Sequence, residues 1–497
     1  MLLPLCALHG ETGSQACRAC HREIYDSYQA TGMARSSGVV ASIDAEGSFE
    51  HKPSDVKYRV FREGGAAWFG FASAGFQGRR RLEYFVGSGT VGRSYLFMVD
   101  GFVYQAPVSW YTAAARWDLS PGYQNYDQLY LTRPIGTECL ECHASSLQPV
   151  AGTANGFASP PFRQPGVSCE RCHGPGDAHV AGHAKMVNPA DLAPDRRDSI
   201  CAQCHLAGEA RIARAHVPAF RPGDRLADSR VVFVWSGEPD MNVTSHFQTL
   251  EQSACKKAAG DRLWCGSCHD PHRVPARAEK AAFYRGRCLQ CHQAADCSRG
   301  PDCVGCHMPK TSVRDVQHAT YTDHAIRKPG HSAHAPAGAQ RTLVPFDGAK
   351  AGDREFGLAY AAVPGFEKQA RDYLERARQD DAEVLTHLAY LYESAGNPSK
   401  AAPLYAKAIR LDPSQVAAAV NLGNQYIKSG QAPQAILLWQ SALEKSPGLE
   451  TVRLALTVAL FRSGDSAGGV ENLRKLLALN PGNIAARKLL NEALSGR

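Results

Sequence analysis

The chain has 497 residues, enough for two or three domains, and its formal net charge is +7 at pH 7. No segment approaches the ~18 consecutive apolar residues that a membrane-spanning helix needs, so the sequence predicts no transmembrane segment. The 17 cysteines are more informative than the charge, because 14 of them occur in pairs with one spacing.

Residues 1–16 are predicted to be a residual or truncated signal segment. The stretch from Met1 to Leu8 is largely apolar, but it is shorter than a full secretory signal and carries no Lys or Arg. Cys6 follows Leu5, which is larger than the small residue expected before a lipidated cysteine. Membrane association would therefore depend on a missing or lipidated N-terminus.

The pattern Cys-x-x-Cys-His occurs seven times, always before residue 308. In such a pentad, two thiols on one helical turn can each add to a vinyl group of a porphyrin, and the next residue presents an imidazole to the iron. The cysteine pairs are Cys17 and Cys20, Cys139 and Cys142, Cys169 and Cys172, Cys201 and Cys204, Cys265 and Cys268, Cys288 and Cys291, and Cys303 and Cys306. The histidines that follow them are His21, His143, His173, His205, His269, His292 and His307. The sequence therefore predicts seven covalently attached haems c, each with one histidine ligand.

A single Cys-x-x-Cys pair is also typical of a zinc knuckle or a redox disulfide. Here every pair is followed directly by His, although only 19 of the 497 residues are His. The chance probability of that coincidence is roughly 1 in 10 billion. Zinc sites instead tend to place His a few residues from another His. The repeated pentad thus favours covalent haem over zinc.

A long gap separates the first two motifs, which start 122 residues apart, against 30, 32, 64, 23 and 15 for the later intervals. Short aromatic or β-branched runs in the gap, separated by glycine pairs, predict antiparallel strands. The predicted strands are Lys57–Phe61, Ala67–Phe71, Leu82–Val86 and Tyr95–Gln105, within a β-rich insertion over 57–117. Arg79, Arg80 and Arg81 are predicted to form a propionate clamp or a solvated turn.

The second axial ligand of each iron decides whether a haem transfers electrons or binds a substrate. We predict one further ligand for each of the seven irons, namely Met33, His51, His179, His246, His272, His318 and His324. For any single histidine in this set, a propionate hydrogen bond or a surface imidazole is the alternative. His272 cannot reach the far face of the haem bound by His269, so it would serve a neighbouring haem.

Three cysteines lie outside the pentads. Cys255 and Cys297 flank the fifth and sixth motifs. The sequence is compatible either with a disulfide between them or with two free thiols. Cys6 lies in the N-terminal segment.

The last third of the chain has a 34-residue period, which is the signature of tetratricopeptide repeats. Small, aromatic, small and proline positions recur in phase, first at Ala401, Tyr405, Ala408 and Pro413 and then at Ala435, Trp439, Ala442 and Pro447. An ordinary helical bundle is the alternative. The predicted domains are a heptahaem cytochrome domain over 17–327, a linker over 328–352 and a repeat domain over 353–497.

The predicted fold class is mainly α. We expect a multihaem cytochrome domain with little regular structure and a small antiparallel β insertion, followed by a C-terminal α-solenoid.

Three strings of the sequence resemble the cytochrome c554 family, the tetrahaem carriers of ammonia oxidisers. The strings run from Cys17 to His21 and on to Thr31-Gly32-Met33-Ala34, from Trp264 to His272, and from Cys303 to Pro309 and on to His318 and His324. The resemblance implies a multihaem cytochrome, and similar domains occur fused to tetratricopeptide repeats in bacterial proteins. Related proteins often carry His where this chain has Met33, so the ligand at that position is in doubt.

Three functions remain open from sequence. The first is periplasmic or extracellular electron transfer along the haems, with a redox protein partner docked on the repeats. The second is an oxidoreductase of the nitrite, hydroxylamine or tetrathionate type, with one open iron. Nitrite reductases of this superfamily commonly use Lys in place of a motif His, and that marker is absent. The third is a structural or filament-forming cytochrome.

The positive charge does not predict nucleic-acid binding. Seven haems would add 14 propionates and change the formal charge from +7 to 7 − 14 = −7 in the reduced protein. The excess of Lys and Arg therefore mostly offsets the cofactor, and we expect no nucleic-acid partner.

Overall fold

The computed structural model describes residues 12–182, 184–237, 241–293, 300–328 and 341–495. The chain is 41% helical and 20% strand, with five sheets. The mainly α fold class with a small β insertion is therefore wrong, because strands occur well beyond 57–117.

The strands fall into five antiparallel sheets, ordered β1-β6-β7-β8-β9, β2-β3-β4-β5, β10-β11, β12-β13-β16 and β14-β15 within the described residues. Their bounds are β1 (Ser37–Val39), β2 (Gly47–His51), β3 (Val56–Glu63), β4 (Ala66–Ser73), β5 (Phe76–Arg81), β6 (Tyr84–Val86), β7 (Gly92–Val99), β8 (Phe102–Tyr111), β9 (Arg116–Leu119), β10 (Ala144–Pro149), β11 (Phe157–Pro165), β12 (Ala210–Ala213), β13 (Arg230–Trp235), β14 (Lys310–Ser312), β15 (Thr320–Thr322) and β16 (Leu343–Pro345).

Helices in the first two thirds of the chain are mostly one or two turns long, and the C-terminal helices are longer. Their bounds are α1 (Ser14–Cys17), α2 (Arg22–Tyr28), α3 (Thr137–Leu140), α4 (Glu170–His173), α5 (Asp177–Val180), α6 (Pro194–His205), α7 (Leu226–Ser229), α8 (His246–Leu250), α9 (Ala254–Ala259), α10 (Cys265–Cys268), α11 (Lys280–Cys288), α12 (Cys303–His307), α13 (Asp353–Ala361), α14 (Glu367–Arg376), α15 (Ala382–Ser394), α16 (Pro398–Leu411), α17 (Val416–Lys428), α18 (Ala432–Lys445), α19 (Glu450–Arg462), α20 (Ser466–Leu479) and α21 (Ile484–Leu494).

The chain divides into two compact units that do not follow the sequence order. The motif unit comprises Met1–Ser36, Cys142–Ser146 and Gln164–Ala351, as far as these are described. The sheet–repeat unit comprises Ser37–Glu141, Leu147–Arg163 and Gly352–Arg497. The predicted linker over 328–352 and the other domain boundaries stay a prediction, and residues 329–340 lie outside the described ranges.

Two tight turns join neighbouring strands in the two largest sheets of the sheet–repeat unit. Gly64 and Gly65 join β3 to β4, and both have positive φ, as a type I′ hairpin turn requires. Asp100 and Gly101 do the same between β7 and β8. The predicted single strand Tyr95–Gln105 is thus a hairpin, because the turn residues lie in the middle of an apolar run.

Alternation of buried and exposed residues shows which face of the four-stranded sheet packs inward. Val56, Tyr58 and Val60 of β3 and Phe69 and Phe71 of β4 are buried. They join a core cluster that also includes Leu479 of α20. The sheets and the last repeat therefore share one hydrophobic core within this unit.

Arg79, Arg80 and Arg81 lie in strand β5, so a solvated turn is not what they form. Arg80 points inward, where burial lowers its pKa, and its guanidinium donates to the carbonyl oxygens of Ala478 and Leu479. Arg79 and Arg81 are exposed on the opposite face.

The repeat helices pack through the small and aromatic positions that the 34-residue period marks. Ala401, Tyr405 and Ala408 are fully buried in one cluster. In the next repeat, the Trp439 indole donates to Val420 O at 3.2 Å. A Cβ at Gly423 would lie 2.5 Å from that indole, so the close approach requires glycine. The predicted helical repeat region is confirmed.

Candidate haem-binding sites

Each pentad forms a helical turn that positions its reactive groups. In four motifs the histidine N–H donates to the carbonyl of the first cysteine, four residues earlier, at 2.8–3.0 Å. These histidines are His21, His173, His269 and His292. Residues three apart on a helical turn share a face, so both thiols of a pair can address one edge of a planar ligand.

Several imidazoles are held in the tautomer that metal binding needs. A carbonyl oxygen can only accept, so an Nδ1 beside it carries the proton and leaves the Nε2 lone pair free for a metal. Four histidines place Nδ1 2.8–3.0 Å from a backbone carbonyl: His173 with Val187, His179 with Ala184, His307 with Arg327, and His324 with Thr322.

The structure brings motif histidines close to predicted distal ligands. Two imidazoles on opposite sides of one metal ion, with metal–nitrogen bonds of about 2 Å, have ring centroids roughly 6 Å apart. Three pairs have this spacing: His21 and His179 at 6.3 Å and 20°, His173 and His272 at 5.9 Å and 13°, and His269 and His324 at 6.2 Å and 33°. The residues present therefore fit haems ligated by two histidines.

A fourth pair belongs to a cluster of four imidazoles, those of His205, His246, His269 and His324. His246 lies 5.2 Å from His205 and 4.8 Å from His324, measured between ring centroids. Burial, with a smaller contribution from the neighbouring histidines, lowers the pKa of His246 to about 3 and that of His269 to about 4. These rings are therefore neutral at pH 7, the form that binds a metal.

Cysteines of different motifs contact one another through their thiols. The contacting pairs are Cys17 with Cys169, Cys142 with Cys204, Cys201 with Cys265, and Cys288 with Cys303. Burial, followed by the neighbouring thiol, raises the pKa of Cys17 and of Cys288 to about 11. The first motif thus neighbours the third, the fourth neighbours both the second and the fifth, and the sixth neighbours the seventh.

Met33 lies beside the second motif. The Ser36 hydroxyl is 2.8 Å from both Met33 O and His143 O. Burial lowers the pKa of His143, and its Nδ1 has no hydrogen-bond partner among the described residues.

Other predicted ligands lie elsewhere. His51 ends strand β2 in the sheet–repeat unit, where its Nδ1 is 2.8 Å from Ser54 Oγ. His318 is exposed between β14 and β15 and has a positive φ, and His292 is also exposed. Their assignment as ligands stays a prediction. Cys255 is described as a free thiol, whereas Cys6 and Cys297 lie outside the described residues, so the disulfide stays a prediction too.

Sequence reasoning missed Glu170, a buried carboxylate inside the third motif. It accepts from the N–H groups of Thr12, Gly13 and Gly176 at 2.8–3.0 Å. These bonds fasten the start of α1, and hence the first motif, to the third. The only sequence signal was an acidic residue inside Cys-Glu-Arg-Cys-His.

Tyr28 is a second residue whose role was missed. Its hydroxyl donates to Val167 O at 2.7 Å, and its ring lies 6.3 Å from that of His272. Tyr28 therefore packs against His272, whose ring pairs with that of His173.

Comparison with known proteins agrees with this arrangement. The family described as "Cytochrome c554 and c-prime" matches residues 118–174, which contain the whole of the second and third motifs. The family described as "Tetratricopeptide repeat" matches residues 367–416 and 386–450. The chain thus resembles a multihaem c-type cytochrome of the cytochrome c554 family, fused to C-terminal tetratricopeptide repeats.

The chain is also similar to a curated protein and to solved structures. "Multiheme cytochrome MtrA" of Shewanella baltica (strain OS185) is 25% identical over 233 residues, which are 41% of this chain and 57% of that protein. The match therefore spans little more than half of the relative's length. Solved structures titled "MamA AMB-1 C2221" and "Crystal structure of YrrB: a TPR protein with an unusual peptide-binding site" are 24% and 18% identical, with TM-scores of 0.27 and 0.25. They cover 29% and 28% of this chain and 86% and 73% of their own chains.

Among the described residues, no helix combines the length and the apolarity that crossing a membrane requires. Likewise, no three or more His, Cys, Asp or Glu side chains in the described ranges converge on a point that could hold a bare metal ion.

Proposed function

We propose that the chain is an exported electron carrier, periplasmic or extracellular, with seven haems c. The observation that carries the proposal is the set of three histidine pairs with centroids 5.9–6.3 Å apart. In each pair one ring follows a Cys-x-x-Cys pair and the other was predicted from sequence as a distal ligand. The two histidines of each pair would both hold one haem iron and leave no position for a substrate, which favours electron transfer over substrate binding.

The cysteines of each pentad would hold the haem through thioether bonds, and the motif histidine would bind its iron. When bound, a haem supplies reversible one-electron chemistry and a potential set by its axial ligands and burial. The backbone carbonyls at Nδ1 would fix the orientation of the rings of His173, His179, His307 and His324, and burial lowers the pKa of His324. The protein thus pre-organises the ligands rather than rearranging them for each haem.

The contacts between motifs indicate which haems would be neighbours for electron transfer. Because thiols of neighbouring motifs touch, the haems they attach would be close neighbours. The contacts give the links first–third, second–fourth, fourth–fifth and sixth–seventh. Links from the third to the fourth and from the fifth to the sixth follow from the thiol of Cys172 beside Cys201 and that of Cys268 beside Cys288. Electrons would therefore pass through one connected array.

The tetratricopeptide repeats support docking of a protein partner, because stacked repeats present an extended binding surface. We propose that the partner is a redox protein. Replacing Tyr390 and Leu437, exposed apolar side chains of the repeat helices α15 and α18, by Ser would weaken binding of such a partner while leaving the haem absorbance bands in place. An unchanged affinity after these substitutions would contradict docking on this part of the repeats.

The second motif favours a second candidate function, an oxidoreductase with one open or weakly ligated iron. Ser36 links the backbone of Met33 to that of His143 in this motif, and a thioether ligand from Met33 would raise the potential of that haem. A structural or filament-forming cytochrome is the third candidate, and self-association of the purified protein measured by light scattering would support it.

Electron paramagnetic resonance during a potentiometric titration tests the carrier proposal. We expect low-spin signals and no turnover with nitrite, hydroxylamine or tetrathionate. A high-spin ferric signal that shifts when one of these ligands is added would favour the oxidoreductase instead.

A further inference from the structure

The outward face of the four-stranded sheet β2-β3-β4-β5 is both basic and aromatic. This face is opposite the buried side chains of β3 and β4, and it lies wholly within the sheet–repeat unit. Its cations are Lys57, Arg59, Arg79 and Arg81, and its acids are Glu50 and Glu63. Four cations against two acids leave a local charge of 4 − 2 = +2.

A slot crosses the middle of this face. The strand register places Gly70 directly between Arg59 and Arg79. Adjacent strands lie about 4.8 Å apart, so the two arginines stand roughly 10 Å apart across Gly70. The edge of the Phe61 ring lies 3.5 Å from the position that a Cβ of Gly70 would take. An open cavity of about 860 Å³ covers the slot.

Both arginines are held by aromatic rings. The Arg59 guanidinium lies 5.2 Å from the Phe61 ring centroid, and that of Arg79 lies 4.6 Å from the Trp68 ring centroid. Stacking restricts the guanidinium planes while leaving their N–H edges available for carboxylates. Arg79 also pairs with Glu63, but both side chains are half exposed, and such a pair exchanges readily for another carboxylate.

We propose that this face, the Arg59–Arg79 slot, docks an acidic protein segment that places an Asp or Glu side chain between the two arginines. Two pre-oriented guanidinium groups match the planar, bidentate geometry of carboxylates. The recessed glycine floor admits a side chain from a peptide, whereas a flat anionic membrane would meet only the arginine tips. This surface is separate from the repeat helices and does not depend on the haem assignment.

The test is titration of the full-length holoprotein with a fluorescein-labelled decaglutamate peptide, at low and at physiological salt. A decaglutamine peptide is the uncharged control probe. We expect saturable binding of decaglutamate that weakens with salt, and a loss of roughly tenfold or more in affinity for the double variant Arg59→Gln/Arg79→Gln. The matched control is the double variant Arg474→Gln/Lys475→Gln, which removes two charges from exposed positions on α20, and Arg474→Gln alone controls for a change of one charge. We expect both controls to bind as the wild type does.

A second variant keeps the arginines. A Cβ at Gly70 would meet no atom closer than 3.5 Å, and its φ is ordinary, so Gly70→Glu fits the strand and places a carboxylate in the slot. We expect it to compete with the peptide and to lower affinity as strongly as the double variant. Equal losses in the α20 control variants and in the slot variants would overturn the proposal, because binding would then follow net charge. Tighter binding to phosphatidylglycerol vesicles than to decaglutamate would also overturn it.

Discussion

At the residue scale, the chemistry depends on imidazoles that the fold brings together in pairs. His272 illustrates this: it lies three residues after His269, yet its ring stacks 5.9 Å from that of His173. Burial, followed by the proximity of His173, lowers the pKa of His272. Its position is explained if one iron lies between the two rings.

We therefore predict that His272→Asn converts one haem from low-spin to high-spin, because asparagine cannot replace imidazole as a strong ligand. The matched control is His216→Asn, which changes an exposed histidine with a positive φ that asparagine tolerates. Electron paramagnetic resonance of the oxidised proteins measures the change. Identical spectra for the two variants would show that His272 is not a ligand.

A second prediction at this scale concerns Asp381, which caps helix α15. Its Oδ1 accepts from the N–H groups of Glu383 and Val384, and its Oδ2 accepts from Arg354 Nε at 2.6 Å. Burial alone would raise the pKa of Asp381, but these hydrogen bonds outweigh it and hold the pKa below 3.8. The ionised Asp381 carboxylate therefore contributes its full stabilisation above pH 3.8, the ordinary pKa of Asp. This stabilisation is lost as the pH falls through the lower pKa that Asp381 has in the folded protein.

Asp381→Ala should lower the free energy of unfolding at pH 7 by about 1 kcal/mol, because it removes the helix cap. Asp381→Asn keeps the cap but not the charge, so its stability should change less than that of the wild type as pH falls below 3.8. Denaturant unfolding followed by circular dichroism measures both effects. Parallel pH profiles for the wild type and Asp381→Asn would contradict this assignment.

At the element scale, long repeats in the sequence predicted helices correctly, whereas very short strands left no recognisable pattern. The repeat helices follow from a 34-residue period, and Tyr405 and Trp439 are buried where the period places them. Strands of three residues, such as Lys310–Ser312, are too short for period-two alternation to stand out. The fold class was wrong for this reason.

The candidate sites were predictable only in part. The pentads identify one ligand of each iron from local sequence, because cysteines and histidine share one helical turn. Pairing with a distal ligand is long-range, as between His21 and His179, and no local pattern encodes it. Glu170 was missed for the same reason, since its partners at Thr12 and Gly13 lie more than 150 residues away.

The junction between the sheets and the last repeat is an element-scale feature with a testable consequence. Asn480 Nδ2 donates to Leu129 O at 3.0 Å and to the Glu450 carboxylate at 2.9 Å, and it is buried. Thr132 Oγ1 donates to the same carboxylate at 2.7 Å. Repeat and sheet are therefore joined by a buried polar network as well as by a common core.

Asn480→Ala should lower the free energy of unfolding by roughly 1–3 kcal/mol, because it leaves buried acceptors unsatisfied. Near-ultraviolet circular dichroism of the sheet aromatics and far-ultraviolet signal of the helices should shift together. Asn491→Ala, on the exposed last turn of α21, is the control and should change little. A shift confined to the helical signal would mean that the sheets fold independently.

At the scale of the whole molecule, the chain combines a unit that carries nearly all of the haem motifs with a second unit built of sheets and repeats. In an electron carrier built this way, substitutions in the electron path and substitutions in the partner-binding surfaces would fall in different units. The electron-carrier proposal requires above all that haem is covalently attached at all seven cysteine pairs.

Intact-mass analysis of the protein, expressed with export and with the haem-attachment machinery, tests that requirement most directly. We predict a mass equal to the mature chain plus seven haems, with a pyridine haemochrome spectrum typical of two thioether bonds per haem. A mass equal to the bare chain, or to the chain with bound zinc, would contradict the account.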